Sequence, residues 1–308
     1  MKKILSLILA LVLMLSVFSS CASPKIQNDK ILLVTSFYPV YIFTLNVVDG
    51  IDEIEVKCMA EQNTGCLHDY QILSRDAKLI ADADVFIING AGMETFLEDV
   101  YMSNENLRVI DSSQGVTLIE NCEEHLDEAE AENHHEHNHD VNSHIWMSPI
   151  NVKIQVQNIA QSLSAYYPQY KNAIEKNKKD YINRLDELSS ELTEMAVALK
   201  NENIITFHES YDYLANVYGF NVIATVESHE GAEPSAKGLA NLVNVIEEHN
   251  VKVLFTEPDY KGSSATILSN ETGAEICTLN PVIKGEISLT AYEDIMRENI
   301  VIILKAVS

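Results

Sequence analysis

The chain is 308 residues long, 46% of them hydrophobic, with a formal net charge of −25 at pH 7. That apolar share supports a packed core and excludes global disorder, and the length accommodates two lobes of ordinary size. The charge excludes nucleic acid and anionic lipid surfaces as partners and suits a protein that meets cations.

The first twenty residues read as a targeting segment. Lys2 and Lys3 precede a nearly unbroken apolar run from Ile4 to Val17, which is short for a membrane span and right for a signal peptide. Ser19, Ser20 and Cys21 then resemble a lipobox, with Phe18 an unusual residue at the leucine position. Cleavage before Cys21 would leave a lipidated cysteine and a mature charge of −25 − 2 = −27, because Lys2 and Lys3 are removed. The expectation is an extracytoplasmic protein held to the cell membrane only by the lipid on Cys21, with residues 21–29 as its tether.

Strand and helix patterns alternate after the tether. Lys30–Ser36 is an apolar strand; Pro39 opens a helix that Gly50 ends; Ile54–Met59 is a second strand. A turn at Gln62–Gly65 leads to a helix over Tyr70–Ala83. Asp84–Asn89 is a buried strand, Met93–Tyr101 a helix and Leu107–Asp111 a strand. This βαβα order implies a parallel sheet flanked by helices. Glu120–Asp140, rich in Glu, Asp, His and Asn, breaks the pattern and reads as a surface loop. Ser148-Pro149 then caps a helical stretch to Tyr166, which Pro168 interrupts before a second stretch to Lys200. Strands follow at Ile204–Phe207, Asn221–Thr225, Lys252–Thr256 and Glu275–Leu279, and a helix over Tyr292–Lys305 closes the chain. The predicted fold is α/β with two lobes, each a parallel sheet flanked by helices. The lobes span 30–147 and 203–308, and a long connecting helix over 148–202 joins them.

Cys58, Cys66, Cys122 and Cys277 remain beside Cys21. An even number permits disulfides outside the cell, but their spacing fixes no pairing; Cys58 and Cys66 could close a short loop or stay free. Without a CxxC pair, a thiolate metal site is a poor fit.

The histidines carry the chemistry. His68 follows the second strand and His208 follows the Ile204–Phe207 strand, while His144 precedes the Ser148-Pro149 helix start. Ligands of open parallel sheets bind beyond the carboxyl ends of strands, so a cleft between the lobes could gather all three. Neutral imidazoles suit zinc and suit Ca²⁺ or Mg²⁺ badly.

Several segments resemble the zinc-binding solute-receptor lipoproteins of ABC importers, the ZnuA/AdcA family. Gly65–Tyr70 (GCLHDY) looks like the segment bearing the first metal histidine, and Ala81–Glu94 (ADADVFIINGAGME) fits another family stretch. Ser143–Pro149 (SHIWMSP) is close to the D-x-H-x-W-x-x-P motif of the second histidine. Phe207–Phe220 (FHESYDYLANVYGF) is similar to the third, and Glu233-Pro234-Ser235 and Glu257-Pro258 match two further points.

The resemblance implies a zinc site of His68, His144 and His208. The ion would be the transported ligand, an ABC permease the partner, and the receptor a monomer with no enzymatic activity. Some relatives were first described as adhesins, but no aromatic patch or repeat here favours that role. A histidine at 208, where manganese relatives carry an acidic residue, favours zinc; a receptor for manganese or another divalent metal is the alternative within the family. The family's late aspartate ligand is here Asn280, so water or a carboxylate such as Glu257 or Glu209 would complete the sphere.

His125, His134, His135, His137 and His139 lie in the acidic tract and could collect metal weakly near the cleft. An open position on a tri-histidine zinc also suits a zinc hydrolase, the reading from a different class. No GxSxG elbow or phosphate-binding glycine loop supports one.

Overall fold

A computed structural model describes residues 30–60, 62, 70–120, 141–226, 233–258 and 260–308. The signal segment, Cys21, Cys66, His68, Cys122 and the five histidines between 125 and 139 lie outside the described residues. Among the described residues, no helix is long and apolar enough to cross a membrane.

Two four-stranded parallel sheets form the frame. In the first, β1 (Ile31–Thr35) lies between β2 (Ile54–Cys58) and β3 (Val85–Ile88), and β4 (Arg108–Asp111) flanks β3. In the second, β5 (Asn203–Thr206) lies between β6 (Asn221–Thr225) and β7 (Val253–Thr256), with β8 (Glu275–Thr278) outermost. The two lobes therefore share one strand order, 2-1-3-4, without sharing sequence. Fully buried strands such as β3 (VFII) and β7 (VLFT) are what a sheet covered on both faces requires.

Every strand expected from the sequence is present to within two residues, but two helices are shorter than expected. The helix expected from Tyr70 begins only at Ser74 (α2, Ser74–Asp82). Asp76 explains the delay. Its carboxylate accepts from the Leu73 amide at 2.8 Å and the Tyr70 hydroxyl at 2.6 Å, which closes the turn before the first helical residue. The expected Met93–Tyr101 helix is a 3₁₀ turn over Thr95–Leu97 followed by α3 (Glu98–Met102). The Asn89–Glu94 turn that precedes it is held by its own carboxylate, as described below.

The stretch from Ser148 onward is two helices, and they fold back on each other. The Ser148 hydroxyl caps α4 (Pro149–Tyr166), Tyr167 and Pro168 break it, and α5 (Lys171–Met195) returns antiparallel. The Lys153–Asp186 ion pair at 2.6 Å bridges the two arms. The long connection is thus a helical hairpin: α4 packs on β4 of the first sheet, and α5 carries the chain toward β5.

Helix α1 (Tyr38–Val48) buries nine of its eleven residues. A helix apolar all round belongs in the interior, and α1 packs against α4, α5 and the closing helix α9 (Ala291–Val307). One hydrophobic cluster consequently runs from Leu33 and Phe43 of the first lobe through Tyr181 and Leu188 of α5 to Tyr292 and Ile300 of α9. A smaller cluster around Leu254, Leu242 and Leu268 fills the outer part of the second lobe.

Candidate metal centre

His144 and His208 meet at the seam between the lobes. The described segment ending in His144 runs into the 3₁₀ turn Ile145–Met147 and then α4, whose Pro149 and Ser148 cap fix where the helix starts. His208 directly follows β5 and Phe207, and the 3₁₀ turn Glu209–Tyr211 and α6 (Asp212–Tyr218) come next. His144 is fully buried and His208 half-buried. Their Nε2 atoms stand 3.1 Å apart, with ring planes 82° from parallel. Two nitrogens bound at about 2.0–2.1 Å to one tetrahedral zinc stand about 3.3 Å apart, close to this spacing.

The hydrogen bonds around Asn142 fix the protonation of His144. The Asn142 side-chain NH₂ donates to the Glu209 carbonyl at 2.9 Å and to Asp212 Oδ2 at 3.0 Å, while its Oδ1 accepts the His144 backbone N–H at 2.9 Å. Both backbone partners have fixed roles, so the amide can face only one way. His144 Nδ1, 3.0 Å from that same Oδ1, must therefore be the N–H donor. In the neutral ring Nε2 then holds the lone pair and is directed at His208. Two facing lone pairs repel unless a proton or a cation lies between them. A pair at this distance either shares a proton on one of the rings or presents both nitrogens to one ion.

Trp146 backs this arrangement. Its ring lies 5.1 Å from His144 and 4.9 Å, edge-on, from Phe37, and its Nε1 donates to the Pro281 carbonyl at 2.7 Å. On the first-lobe side, Ser143 is gripped twice: its carbonyl accepts from Asn89 Nδ2 at 3.0 Å, and its hydroxyl donates to the Ala91 carbonyl at 2.7 Å. The buried Glu94 carboxylate holds that turn by accepting from the Ser36 hydroxyl at 2.7 Å and from the Asn89 and Gly90 amides at 2.8 and 3.0 Å. Burial pushes the Glu94 carboxyl up to about 7, with those three donors pulling it down and Asp111 adding to the rise. Gly90 is required there: its φ is +80°, and a Cβ would come within 1.9 Å of Asp111 Oδ1.

Both acidic candidates belong to the shell of residues around the pair. The Ser210 hydroxyl donates to Glu257 Oε1 at 2.8 Å, and Glu209 contributes its backbone carbonyl to Asn142. Sequence reasoning missed Asn142 and Asp212. Burial raises the Asp212 carboxyl, while the Asn142 amide and nearby His208 pull it back down, so this carboxylate lies near His208 and holds the amide that orients His144. The signal for Asn142 was available, since it occupies the aspartate position of the D-x-H motif.

Asn280 is committed elsewhere. Its side chain accepts from the Ile283 amide at 3.2 Å and donates to the Lys284 carbonyl at 2.7 Å, so both amide groups serve a backbone turn. Among the described residues, no set of three His, Cys, Asp or Glu side chains gathers to hold an ion. Cys58 and Cys277 are free thiols. Burial raises the Cys58 thiol to about 12 against the pull of Thr35 and Ala60, so it stays protonated.

Comparison with known proteins decides the family. The family model described as "ZnuA: Zinc-uptake complex component A periplasmic" matches residues 33–306. The chain belongs to this family. The high-affinity zinc uptake system protein ZnuA of Bacillus subtilis is 31% identical over 288 residues, covering 92% of this chain and 89% of that protein. The zinc-binding protein AdcA of Streptococcus pyogenes is 30% identical over 294 residues, covering 91% of this chain but 56% of AdcA. The chain thus spans just over half the length of the AdcA relatives it matches. A crystal structure of ZnuA superposes with a TM-score of 0.77 at 26% identity, covering 91% of this chain and all of that one.

Proposed function

We propose that this ZnuA-family chain is an extracytoplasmic receptor that binds zinc between its lobes and delivers it to an ABC importer permease. The observation that carries the reading is the His144–His208 pair, with Nε2 atoms 3.1 Å apart and the His144 lone pair fixed inward by Asn142. His68, on the segment after β2, is the third ligand in this reading. Water, or a carboxylate from Glu257 or Glu209, takes the fourth position. Asn280 is not a ligand, because its amide is spent on the 280–284 turn.

The reading includes lipid anchoring at Cys21 and the division into lobes 30–147 and 203–308 joined by 148–202. It also assigns the histidines of the acidic tract as weak accessory ligands. A partly buried seam with imidazole donors suits a borderline dication and a binding protein.

The test is elemental analysis of protein purified without added metal, followed by chelator-competition titration. One tightly held zinc per chain is expected, with the tight site lost in His144→Ala and in His208→Ala. Wild-type protein that holds no zinc tightly, or variants that bind as well as wild type, would overturn the reading.

A further inference from the structure

The segment that leaves β8 does not stay in its own lobe. Asn280 anchors it with four polar groups. Its backbone N–H donates to Asn299 Oδ1 at 3.0 Å, its carbonyl accepts from Asn299 Nδ2 at 2.7 Å, and its side chain closes the turn onto Ile283 and Lys284. Inside this turn the fully buried Val282 sits at φ +60°. A β-branched residue reaches that region only where its surroundings impose it.

Beyond the turn, the chain fastens to first-lobe residues. The Gly285 amide donates to Gln62 Oε1 at 3.0 Å, and the Tyr38 hydroxyl donates to the Glu286 carbonyl at 2.7 Å. The fit at Gly285 is tight, since a Cβ there would come within 2.8 Å of the Tyr38 oxygen. Farther on, Arg184 of α5 donates to the Leu289 carbonyl at 3.0 Å. Between these ends, the Pro281 carbonyl accepts from Trp146 Nε1 at 2.7 Å, and the Tyr292 hydroxyl donates to the Trp146 carbonyl at 2.9 Å. Trp146 is therefore held at both its ring and its backbone by the second half of the chain, and it is the ring against which His144 rests.

We propose that Asn280–Leu289 is an inter-lobe strap, fastened at Tyr38, Gln62 and Trp146, that positions His144 and thereby sets how slowly a bound cation leaves. The proposal rests on the receptor reading for its metal consequence but not for its structural one. A strap explains why position 280 carries an amide: a carboxylate has no N–H for the Lys284 carbonyl, so the turn would lose that bond.

Trp146 is the only tryptophan in the chain, so its fluorescence reports on the strap with no metal present. The variant Tyr38→Phe/Gln62→Ala removes two outer fastenings and leaves every histidine in place. In the metal-free variant, tryptophan emission should shift to the red and acrylamide quenching should rise. Zinc release to excess chelator should quicken by about tenfold, the scale on which outer-shell contacts act on metal sites, while the urea midpoint stays near that of wild type. Replacing Gln62→Ala by Gln62→Glu, which can still accept the Gly285 N–H, should restore slow release to the level of Tyr38→Phe alone.

Unchanged emission and release in the double variant would overturn the strap. So would faster release that merely tracks a fall in the urea midpoint, or that Gln62→Glu fails to reverse. Should the double variant not fold, each single variant carries the same readouts. A wild-type protein that binds no zinc would sink the receptor reading, and the tryptophan arm would then judge the strap alone.

Discussion

At the scale of single residues, Asn142 decides more than its lack of charge suggests. One amide ties the His144 backbone and ring to the Glu209 carbonyl and Asp212 of the second lobe, so the two halves of the site share a hub. A ligating imidazole depends on such a partner to fix its tautomer and orientation. We expect Asn142→Ala to weaken zinc binding by about 10–100-fold, measured by chelator competition. Unchanged affinity would mean that packing against Trp146 alone holds the ring. The placement of His208 was legible in the sequence, because an imidazole just past the end of a strand is visible in one dimension. The Asn142–His144 bond was not: it depends on which way an amide faces, and partners from residues 209 and 212 decide that.

At the scale of elements, two contacts hold the frame on which the site rests. Arg184 of α5 donates to Glu293 of α9 at 2.9 Å and also to Asn46 of α1, joining three helices at one guanidinium. Arg184 is about a third exposed and Glu293 is buried, so removing the cation strands a carboxylate in the interior. Arg184→Leu should cost about 2 kcal/mol in urea unfolding, below the range for a fully buried pair because solvent screens the arginine.

The Glu94 turn gives a pH signature. Its carboxyl is raised from 4.5 to about 7 by burial, so the folded chain binds this proton more tightly than the unfolded chain. The group's contribution to stability is fully present below about pH 4.5 and is lost as pH rises through about 7, a change of about 3 kcal/mol. Urea midpoints measured from pH 5 to 8 should therefore fall more steeply with pH in wild type than in Glu94→Gln. Parallel slopes would show that the three donors keep Glu94 ionised throughout. The same turn explains why the expected Met93–Tyr101 helix is cut short: Asn89–Glu94 is shaped to grip Ser143, and its left-handed residues Gly90, Ala91 and Gly92 cannot continue a helix.

At the scale of the whole molecule, the hydrophobic core does not stop at the seam. One cluster runs through α1, α5 and α9 from the first lobe into the second, and α9 brings the end of the chain back across both. Packed interiors of this kind do not slide open without exposing apolar surface. The radius of gyration from solution scattering should accordingly be the same with and without zinc, and a clear contraction on binding would contradict a shared core. Zinc should instead act through linkage. At free zinc about 100 times Kd it should stabilise the fold by about 2.7 kcal/mol, read as a rise in the unfolding midpoint that is absent in His208→Ala.

The sequence by itself determined the two-lobe α/β plan and the strand positions, because hydrophobic period and caps are local properties. Only the tertiary structure decided that the connection is a hairpin rather than a rod, and that Asn142, Asp212 and Trp146 frame the histidine pair. It alone showed that Asn280 builds a turn. The hairpin and the frame of the histidine pair rest on contacts between residues 33 to 135 positions apart, and the Asn280 turn on where an amide finds its partners; neither leaves a periodic trace along the chain.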